Sequence, residues 1–324
     1  MRRPSESSVG RSTLKRSAAL SLFAASIAGV APLRAQTTLA PLRIATPGGD
    51  AFAEPFFGTD GGFFAKAGFD PQISILNNAG AVLAAVAGGA VDIGLGDIVG
   101  IADAIENGIP LVVFAGGGLY SGSDPTTVFC VDKNSPLTSA QDLNGKTVAV
   151  VTLVGLAAAS TKAWLSNNGA DISTIKVIEM PQQEMRAALQ RGTIAAATIS
   201  EPFLSNAKND VRAFGKPYDA VANRFLISQW ITTRSWLANN AAGAKRITAA
   251  IYDTARWANA HHDASLPILV KYLKVDPELM RGIRRVDFST VLGPTLMQPA
   301  IDVGVKYKLI PKPLDAATVI ANPT

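Results

Sequence analysis

The side chains best suited to covalent or metal chemistry are few in this chain. Cys130 is the single cysteine, and its setting in Thr-Val-Phe-Cys-Val predicts a buried strand position. His261 and His262 are the two histidines; neighbours on a helix do not face each other, so a solvated helix surface explains them better than a metal site. Without a further histidine, neither a Ser-His-Asp triad nor a Cys-His pair can be assembled, which argues against a hydrolase.

Residues suited to noncovalent binding follow the predicted strands instead. In α/β sheets, ligands bind outside the carboxyl ends of the strands, where loops enter helices. Aromatic residues near these turns and near a predicted hinge would suit a ligand with an organic body. The candidate ligand-binding residues are Thr46, Pro47, Phe52, Asn78, Gly80, Ala81, Asp97, Ile98, Thr152, Gly155, Leu156, Glu201 and Trp230.

Two kinds of polar recognition are open to these turns. A helix start at Gly80-Ala81 would offer free N–H groups to an anion, or Asn78 would simply cap that helix. Glu201 would accept a hydrogen bond from a ligand amine or hydroxyl, or would only favour the first turn of a helix. Asp97 occupies a nearly equivalent position and has the same two interpretations. Around Gly155 the sequence is apolar, which predicts an apolar contact surface in the second half of the chain.

The elements that must position these residues alternate between strands and helices, which predicts parallel or mixed sheets covered by helices on both faces. After the second series of strands and helices comes an apolar strand over 225–233, which is followed only by helices. The predicted strands are 42–46, 72–76, 91–95, 111–115, 146–151, 176–179, 194–199 and 225–233, with helices over 52–67, 157–167 and 181–190 and others after residues 78, 95 and 233.

The alternation restarts midway as a weak internal repeat. When Gly89 is aligned with Gly192, each copy has Ala-Ala-Val or Ala-Ala-Leu before the glycine and a β-branched residue two positions after it. Two such units predict two α/β lobes joined by two hinge crossings. We expect a signal peptide over 1–35, a first lobe formed by 36–118 and 230–324, and a second lobe over 119–229.

The N-terminal segment predicts export. Its basic residues, apolar run and small residues follow the order of a secretory signal peptide, too interrupted for a membrane anchor. A faint likeness to a twin-arginine signal leaves the export route open. Without residues 1–35, Lys+Arg falls from 30 to 24 and Asp+Glu from 25 to 24, so the net charge falls from +5 to 0. No basic stripe for nucleic acid remains; Arg281-Gly-Ile-Arg-Arg285 is interpreted as a solvated helix end.

An ordered series of short motifs resembles the nitrate/taurine/sulfonate-type (NitT/TauT) solute-binding proteins of ABC importers. The resemblance covers most of residues 40–240 and is carried by Gly61-Gly-Phe-Phe-Ala-Lys-Ala-Gly68, Ala84-Ala-Val-Ala-Gly-Gly-Ala-Val-Asp92, Asp142-Leu-Asn-Gly-Lys-Thr-Val148, Glu184-Met185 and Glu201-Pro202. It implies a type II periplasmic-binding-protein fold of two α/β lobes that close over a ligand without catalysis.

The resemblance also implies a cellular role. We expect a monomer in the periplasm that needs no cofactor, captures a small organic anion with a sulfonate-, carboxylate- or taurine-like group, and delivers it to a permease and ATPase complex. Alternatives are a ligand-binding sensory or accessory subunit and a binder of a thiamine-precursor pyrimidine. An enzyme resembling the thiamine-pyrimidine synthases fits poorly, because that group uses a cysteine-rich segment and a histidine.

Overall fold

The computed structural model describes residues 39–278 and 280–321. Strands and helices alternate through most of its length, as the hydrophobic pattern predicts. The strands are β1 (Ala40–Pro47), β2 (Phe69–Leu76), β3 (Ile93–Gly96), β4 (Leu111–Gly116), β5 (Gly118–Ser121), β6 (Thr127–Asp132), β7 (Thr147–Val150), β8 (Lys176–Glu179), β9 (Ala196–Ser200), β10 (Val211–Gly215), β11 (Arg224–Leu226), β12 (Gln229–Thr233) and β13 (Asp287–Phe288).

The helices surround these strands. They are α1 (Glu54–Asp60), α2 (Phe63–Lys66), α3 (Ala79–Ala87), α4 (Ile98–Glu106), α5 (Leu156–Asn167), α6 (Gln182–Gln190), α7 (Phe203–Ala207), α8 (Arg234–Asn239), α9 (Ala241–Ala260), α10 (His262–Leu273) and α11 (Gln298–Lys306). Short 3-10 turns cover Asp50–Phe52, Ala140–Leu143, Pro217–Ala220, Pro294–Leu296 and Ala316–Val319.

Two five-stranded mixed sheets form the bases of two lobes. The first has the order β2-β1-β3-β12-β4, with β12 antiparallel to both neighbours. The second has the order β10-β6-β9-β7-β8, with β6 antiparallel to both β10 and β9. The predicted fold class is therefore confirmed. The strand β12 returns to the first sheet after the whole second sheet has formed, so the chain crosses between lobes twice.

Both crossings contain a strand, whereas the sequence predicts one only on the returning crossing. β5 lies on the outgoing crossing and β11 on the returning one; they pair antiparallel, and β13 adds a third strand. The predicted single strand over 225–233 is wrong, because Ile227 and Ser228 separate β11 from β12. Ser228 holds this break by donating its Oγ proton to the backbone oxygen of Ala51 at 2.6 Å.

The predicted single helix over 52–67 is also wrong. It divides into a 3-10 turn, α1 and α2, and Gly61-Gly62 separates the two α-helices. Gly62 has φ 71°, a left-handed conformation that side chains disfavour. A Cβ on Gly61 would lie 2.7 Å from the backbone oxygen of Phe57, so a larger residue would not fit there.

Apolar packing continues from one lobe into the other. The largest buried cluster includes Val99 of α4, Leu156 and Ala159 of α5, and Ile301 of α11. α5 follows a strand of the second sheet, yet it packs against α4 and α11, whose sequence neighbours belong to the first lobe. Burying one large apolar side chain stabilises a fold by about 1.5–3 kcal/mol, so this contact contributes substantially to holding the lobes together.

Candidate functional site

A small cavity lies between the two lobes at the ends of their strands. Its volume is about 60 Å³. The first lobe contributes the loop that follows β1 and the turns that precede α3 and α4; the second contributes β6 and β9, the turn before α5, and the first residue of α6. The remaining lining residues come from the crossings and from the segment before β13.

The structure brings together seven of the predicted ligand-binding residues at this cavity. They are Pro47, Phe52, Asn78, Asp97, Thr152, Leu156 and Glu201. Six others lie outside the lining, namely Thr46, Gly80, Ala81, Ile98, Gly155 and Trp230. The residues that reach the cavity sit on turns or on the end residues of strands and helices, whereas most of those that miss it lie within strands or helices.

Trp230 and Thr46 serve the interior of the first lobe. Trp230 is fully buried in β12, and its Nε1 donates to Oε2 of Glu54 at 2.7 Å. Its ring meets Phe64 edge-on at 6.3 Å. Thr46 donates its hydroxyl proton to the backbone oxygen of Phe52 at 2.7 Å. Placement of Trp230 beside the cleft was therefore wrong, while Thr46 supports the loop that carries Phe52.

The start of α3 is occupied by its own cap. Oδ1 of Asn78 accepts from the Ala81 N–H at 2.9 Å, which is the capping arrangement considered above. The Nδ2 atom of Asn78 donates to Oε1 of Glu179 at 3.0 Å, from the first lobe to the end of β8 in the second. Asn78 therefore caps a helix and connects the lobes, and Gly80 and Ala81 lie behind it.

Asp97 joins two helices from opposite lobes. Its Oδ1 accepts from the N–H groups of Val99 and Gly100 at 3.1 Å each, in α4, and from the N–H of Leu156 at 2.8 Å, at the start of α5. The residue is 5% exposed. A carboxylate at two helix starts is stabilised by both helix dipoles. Burial nevertheless raises the pKa of the Asp97 carboxyl to about 6.

Gly155 permits this contact although it does not line the cavity. A Cβ at this position would lie 2.6 Å from Cγ2 of Thr152 and 3.0 Å from Oδ2 of Asp97. Both distances are shorter than ordinary carbon contacts, so a side chain would force α5 away from Asp97. The glycine is needed for close approach of the lobes.

The side chain of Glu201 forms hydrogen bonds within its own lobe. Oε2 accepts from the Ser205 N–H and Oε1 from the Ser205 hydroxyl, both at 3.0 Å, which fixes the start of α7. Burial raises the pKa of this carboxyl. Its backbone oxygen accepts from the Asp50 N–H at 3.1 Å, so here the lobes meet through the main chain.

The sequence does not predict the buried ion pair that lies beside the cavity. Nε of Arg285 donates to Oδ1 of Asp50 at 2.9 Å, and the Val286 N–H donates to Oδ2 at 2.7 Å. The Arg285 and Asp50 side chains are 6% and 1% exposed. The interpretation of Arg281 to Arg285 as a solvated helix end is therefore wrong for Arg285. An isolated Asp in a glycine-rich loop gives no sequence signal of such a partner.

The second lobe presents hydroxyl and amide groups in addition to the apolar residues expected around Gly155, of which Leu156 and Ala157 line the cavity. The Thr127 and Ser200 hydroxyls are 2.8 Å apart, and Oε1 of Gln182 accepts from the Ser200 N–H at 2.7 Å. Thr126, Thr152, Thr198 and Tyr218 also line the cavity. Leu153 and Val154 point away and are 44% and 43% exposed. Thr127 lies on β6, and Thr198 and Ser200 lie on β9. Successive side chains of a strand point to opposite faces, and the sequence alone does not show which of them reach the cavity.

An outer cavity of about 290 Å³ lies next to the inner one. The two share Gly48, Asn77, Val151 and Gln182 as lining residues. Gln183 and the apolar or aromatic side chains of Ile75, Leu76, Phe203, Tyr272 and Leu273 complete the wall of the outer cavity. Tyr272 stacks on Phe56 with ring centroids 4.4 Å apart, which fixes one side of this wall.

Groups able to perform covalent or metal chemistry lie elsewhere. Burial raises the pKa of the Cys130 thiol in β6 to about 12, and neither Cys130 nor the two histidines line the cavity. Over residues 39–278 and 280–321, no three His, Cys, Asp or Glu side chains are grouped as metal ligands. In the same part of the chain, no helix combines the length and apolar character that crossing a membrane requires.

The chain is similar to a known protein family in sequence and to solved structures in fold. A family model described as NMT1/THI5 like matches residues 51–265. No curated protein sequence matches the chain. Among solved structures, the chain is similar to the alkanesulfonate-binding protein SsuA from Xanthomonas axonopodis pv. citri bound to MOPS, with TM-score 0.73 and 16% identity over 87% of this chain and 98% of that one.

Two further structures share the fold at low identity. The periplasmic nitrate-binding protein NrtA from Synechocystis PCC 6803 has TM-score 0.72 and 14% identity over 87% of this chain and 85% of that one. The desulfurization enzyme DSZB has TM-score 0.63 and 14% identity over 87% of this chain and 96% of that one. The fold is therefore found in both binding proteins and an enzyme, and function has to be argued from the site.

Proposed function

Because the chain belongs to the NMT1/THI5-like family, we propose that it is the extracytoplasmic solute-binding protein of an ABC importer. Exported to the periplasm by its N-terminal segment, it works there as a soluble monomer without a cofactor. Its lobes close over a small solute and deliver it to a membrane permease with its ATPase. The residue limits expected for the signal peptide and the two lobes are part of this proposal.

The observation that carries the proposal is the cavity between the lobes, with Asp97 bonded across it to α5. Turns of both lobes line the same cavity, so a solute there contacts both lobes at once. Closure follows from differential affinity, because only the closed form offers both sets of contacts. The 2.8 Å bond from the Leu156 N–H to Asp97 is one such contact.

The proposal includes no catalytic step. Cys130 is fully buried within the second sheet. His261 and His262 lie where α9 ends and α10 begins, outside the cavity lining. An activated nucleophile in covalent catalysis has a base within hydrogen-bond reach, and neither the cysteine nor a histidine is among the cavity-lining residues of the described chain. The alternatives of a pyrimidine binder and of a sensory subunit remain, since both use a closing cleft.

The test is a thermal-shift screen of the purified protein against nitrate, sulfonates, carboxylates, amino acids, amines and aminopyrimidines. A solute at 100 times its dissociation constant adds about 2.7 kcal/mol to the free energy of unfolding, which a melting curve resolves. We expect one chemical class to raise the melting temperature. Uptake of that solute should then fail in a deletion strain and return with the wild-type chain. Binding without an uptake defect would favour the sensory alternative, and no shift would contradict the proposal.

A further inference from the structure

The inner cavity is acidic, although an anionic solute was expected. Asp50, Asp97 and Glu201 line it, and none of its lining residues within 39–278 and 280–321 is a lysine or an arginine. Asp50 is neutralised by Arg285, whereas the ion pairs among the described residues include none to Asp97 or Glu201. The cation that acts on Glu201, Arg284, is paired with Asp124 at 3.0 Å. An anion in this cavity would lie near the carboxyl groups of Asp97 and Glu201, neither of which has an ion-pair partner among the described residues.

Three of the helix starts at the cavity, those of α3, α4 and α5, already bind side chains of the protein. The Val99 and Gly100 N–H groups of α4 and the Leu156 N–H of α5 donate to Oδ1 of Asp97, and the Ala81 N–H of α3 donates to Asn78. Helix N-termini bind anions through free N–H groups of this kind. The chain supplies its own carboxylate where a sulfonate or carboxylate ligand would otherwise find donors.

Asp97 retains an oxygen for a ligand. All three of its hydrogen bonds from the main chain of Val99, Gly100 and Leu156 go to Oδ1, and within the described part of the chain Oδ2 accepts none. The residue is 5% exposed and lines the inner cavity. A ligand cation or N–H donor that reaches this oxygen would gain a charge-assisted hydrogen bond.

The two cavities set the size of the ligand. A cavity of about 60 Å³ admits a group of only a few heavy atoms beside Oδ2. The adjoining cavity of about 290 Å³ has Phe203, Tyr272 and Leu273 in its lining beside polar residues, so it offers apolar contacts to a ligand body. The arrangement fits a molecule with a compact polar head in the inner cavity and an apolar or aromatic body in the outer one.

We propose that the solute is an organic cation whose compact nitrogen head, an ammonium or amidinium group, pairs with Asp97 while its apolar body fills the outer cavity. This inference rests on the proposed solute-binding function and specifies its ligand class. Glu201 contributes negative potential from the opposite lobe, and the hydroxyls of Thr127 and Ser200 accept the remaining N–H groups. Asp97 is thereby the residue that determines specificity for charge.

The test uses probes that share one shape and differ in charge. Acetamidinium, acetamide and acetate form one series, and benzamidinium, benzamide and benzoate form a second with an aromatic body. Calorimetric titration of the wild-type protein at constant ionic strength should show the amidinium binding at least tenfold more tightly than its amide, with no carboxylate binding. The aromatic series should bind more tightly than the methyl series, because it reaches the outer cavity.

Variants separate Asp97 from a general electrostatic effect. Asp97→Asn keeps a good helix cap, so the fold should survive while the preference for amidinium over amide is lost. Asp315→Asn is the matched control, since Asp315 caps a 3-10 turn through the Ala317 N–H at 2.8 Å and does not line either cavity. It should leave every affinity unchanged. Circular dichroism confirms that each variant is folded.

Three results would overturn the cation inference. The first is benzoate binding as tightly as benzamidinium. In that case the start of α6, which has no side-chain cap, would be the anion site. The second is an unchanged preference in Asp97→Asn. The third is failure of all six probes to bind. In each case the solute-binding function is judged separately, by whether any member of the wider thermal-shift panel binds.

Discussion

The turns at Asp97 and Glu201 occupy corresponding places in the two lobes, yet they connect the lobes in different ways. Asp97 follows β3 and reaches α5 of the other lobe with its side chain. Glu201 follows β9, uses its side chain within its own lobe on Ser205, and meets Asp50 through its backbone oxygen. One contact therefore depends on the identity and ionisation of a side chain, and the other depends on how the Asp50 loop is held.

The largest effect is expected from the ion pair that holds that loop. Arg285→Met leaves the buried Asp50 carboxylate without its cation, and breaking one side of a buried pair costs about 3–5 kcal/mol. Urea unfolding followed by circular dichroism measures the change. Arg281→Met is the control from the same segment. Its pair with Glu278 has side chains 76% and 66% exposed, so we expect a loss of at most about 1 kcal/mol. Equal losses in both variants would contradict the assigned role of Arg285.

The second-largest effect is the pH dependence of the free energy of unfolding that arises from the Asp97 side chain. The pKa of Asp97 rises from 3.8 to about 6 in the folded chain. The folded form therefore binds this proton more readily than the unfolded form. Stability from this group is present below pH about 4 and is lost as pH rises through about 6, a change of about 3 kcal/mol.

Asp97→Asn removes this titration. The difference in unfolding free energy between wild type and variant should therefore decrease with rising pH across that window, measured by urea unfolding at several pH values. Asp92, Asp142 and Asp171 have lowered pKa values and act in the opposite direction, but they are common to both proteins and cancel in the difference. A constant difference from pH about 4 to 7 would show that the Asp97 carboxyl is not perturbed by folding.

A smaller effect is expected where the lobes approach most closely. Gly155→Ala introduces a Cβ 2.6 Å from Thr152 and should cost about 1–3 kcal/mol through overpacking. It should also weaken solute binding, because α5 can no longer reach Asp97. Gly243→Ala, in α9, is the control: its Cβ would lie 3.5 Å from Phe69, an ordinary contact. That variant should bind solute normally. Normal solute binding by Gly155→Ala would show that closure does not depend on the close approach at Gly155.

The smallest effect should come from Glu201. Glu201→Gln weakens two hydrogen bonds to Ser205 and leaves the backbone contact with Asp50 in place, so we expect a loss of about 1 kcal/mol or less. Closure should persist. A loss of closure as large as that in Asp97→Asn would contradict the different roles assigned to the two turns, a side-chain contact at Asp97 and a backbone contact at Glu201.

The sequence predicts the strands and helices well where the apolar pattern is regular. β8 matches its predicted bounds, 176–179, and most other strands of the two large sheets were found within a few residues. The three-stranded sheet of the crossings was missed because β11 and β13 are short and pair over long sequence distances. Such strands owe their pairing to tertiary context, which a local pattern does not contain.

For the site, the rule that ligands bind beyond the carboxyl ends of strands identifies Asp97, Glu201 and Asn78 from the sequence. It does not identify the residues to which they bond. Asp97 was recognisable because a short polar residue follows a buried strand and precedes a helix. Its bond to Leu156 joins positions 59 residues apart, and the pairing of Asp50 with Arg285 spans 235. Trp230 was misplaced since an aromatic residue near a crossing looks the same whether it faces a cleft or the core.

The most direct test of solute-driven closure is the distance between the lobes. Spin labels at Lys66→Cys in the first lobe and Lys176→Cys in the second attach selectively, because Cys130 is fully buried. Double electron–electron resonance would then be measured with and without the solute identified by the thermal-shift screen. We predict a distance distribution that shifts and narrows when the solute is added, and a smaller response in Asp97→Asn. An unchanged distribution at saturating solute would contradict closure of the lobes over a bound molecule.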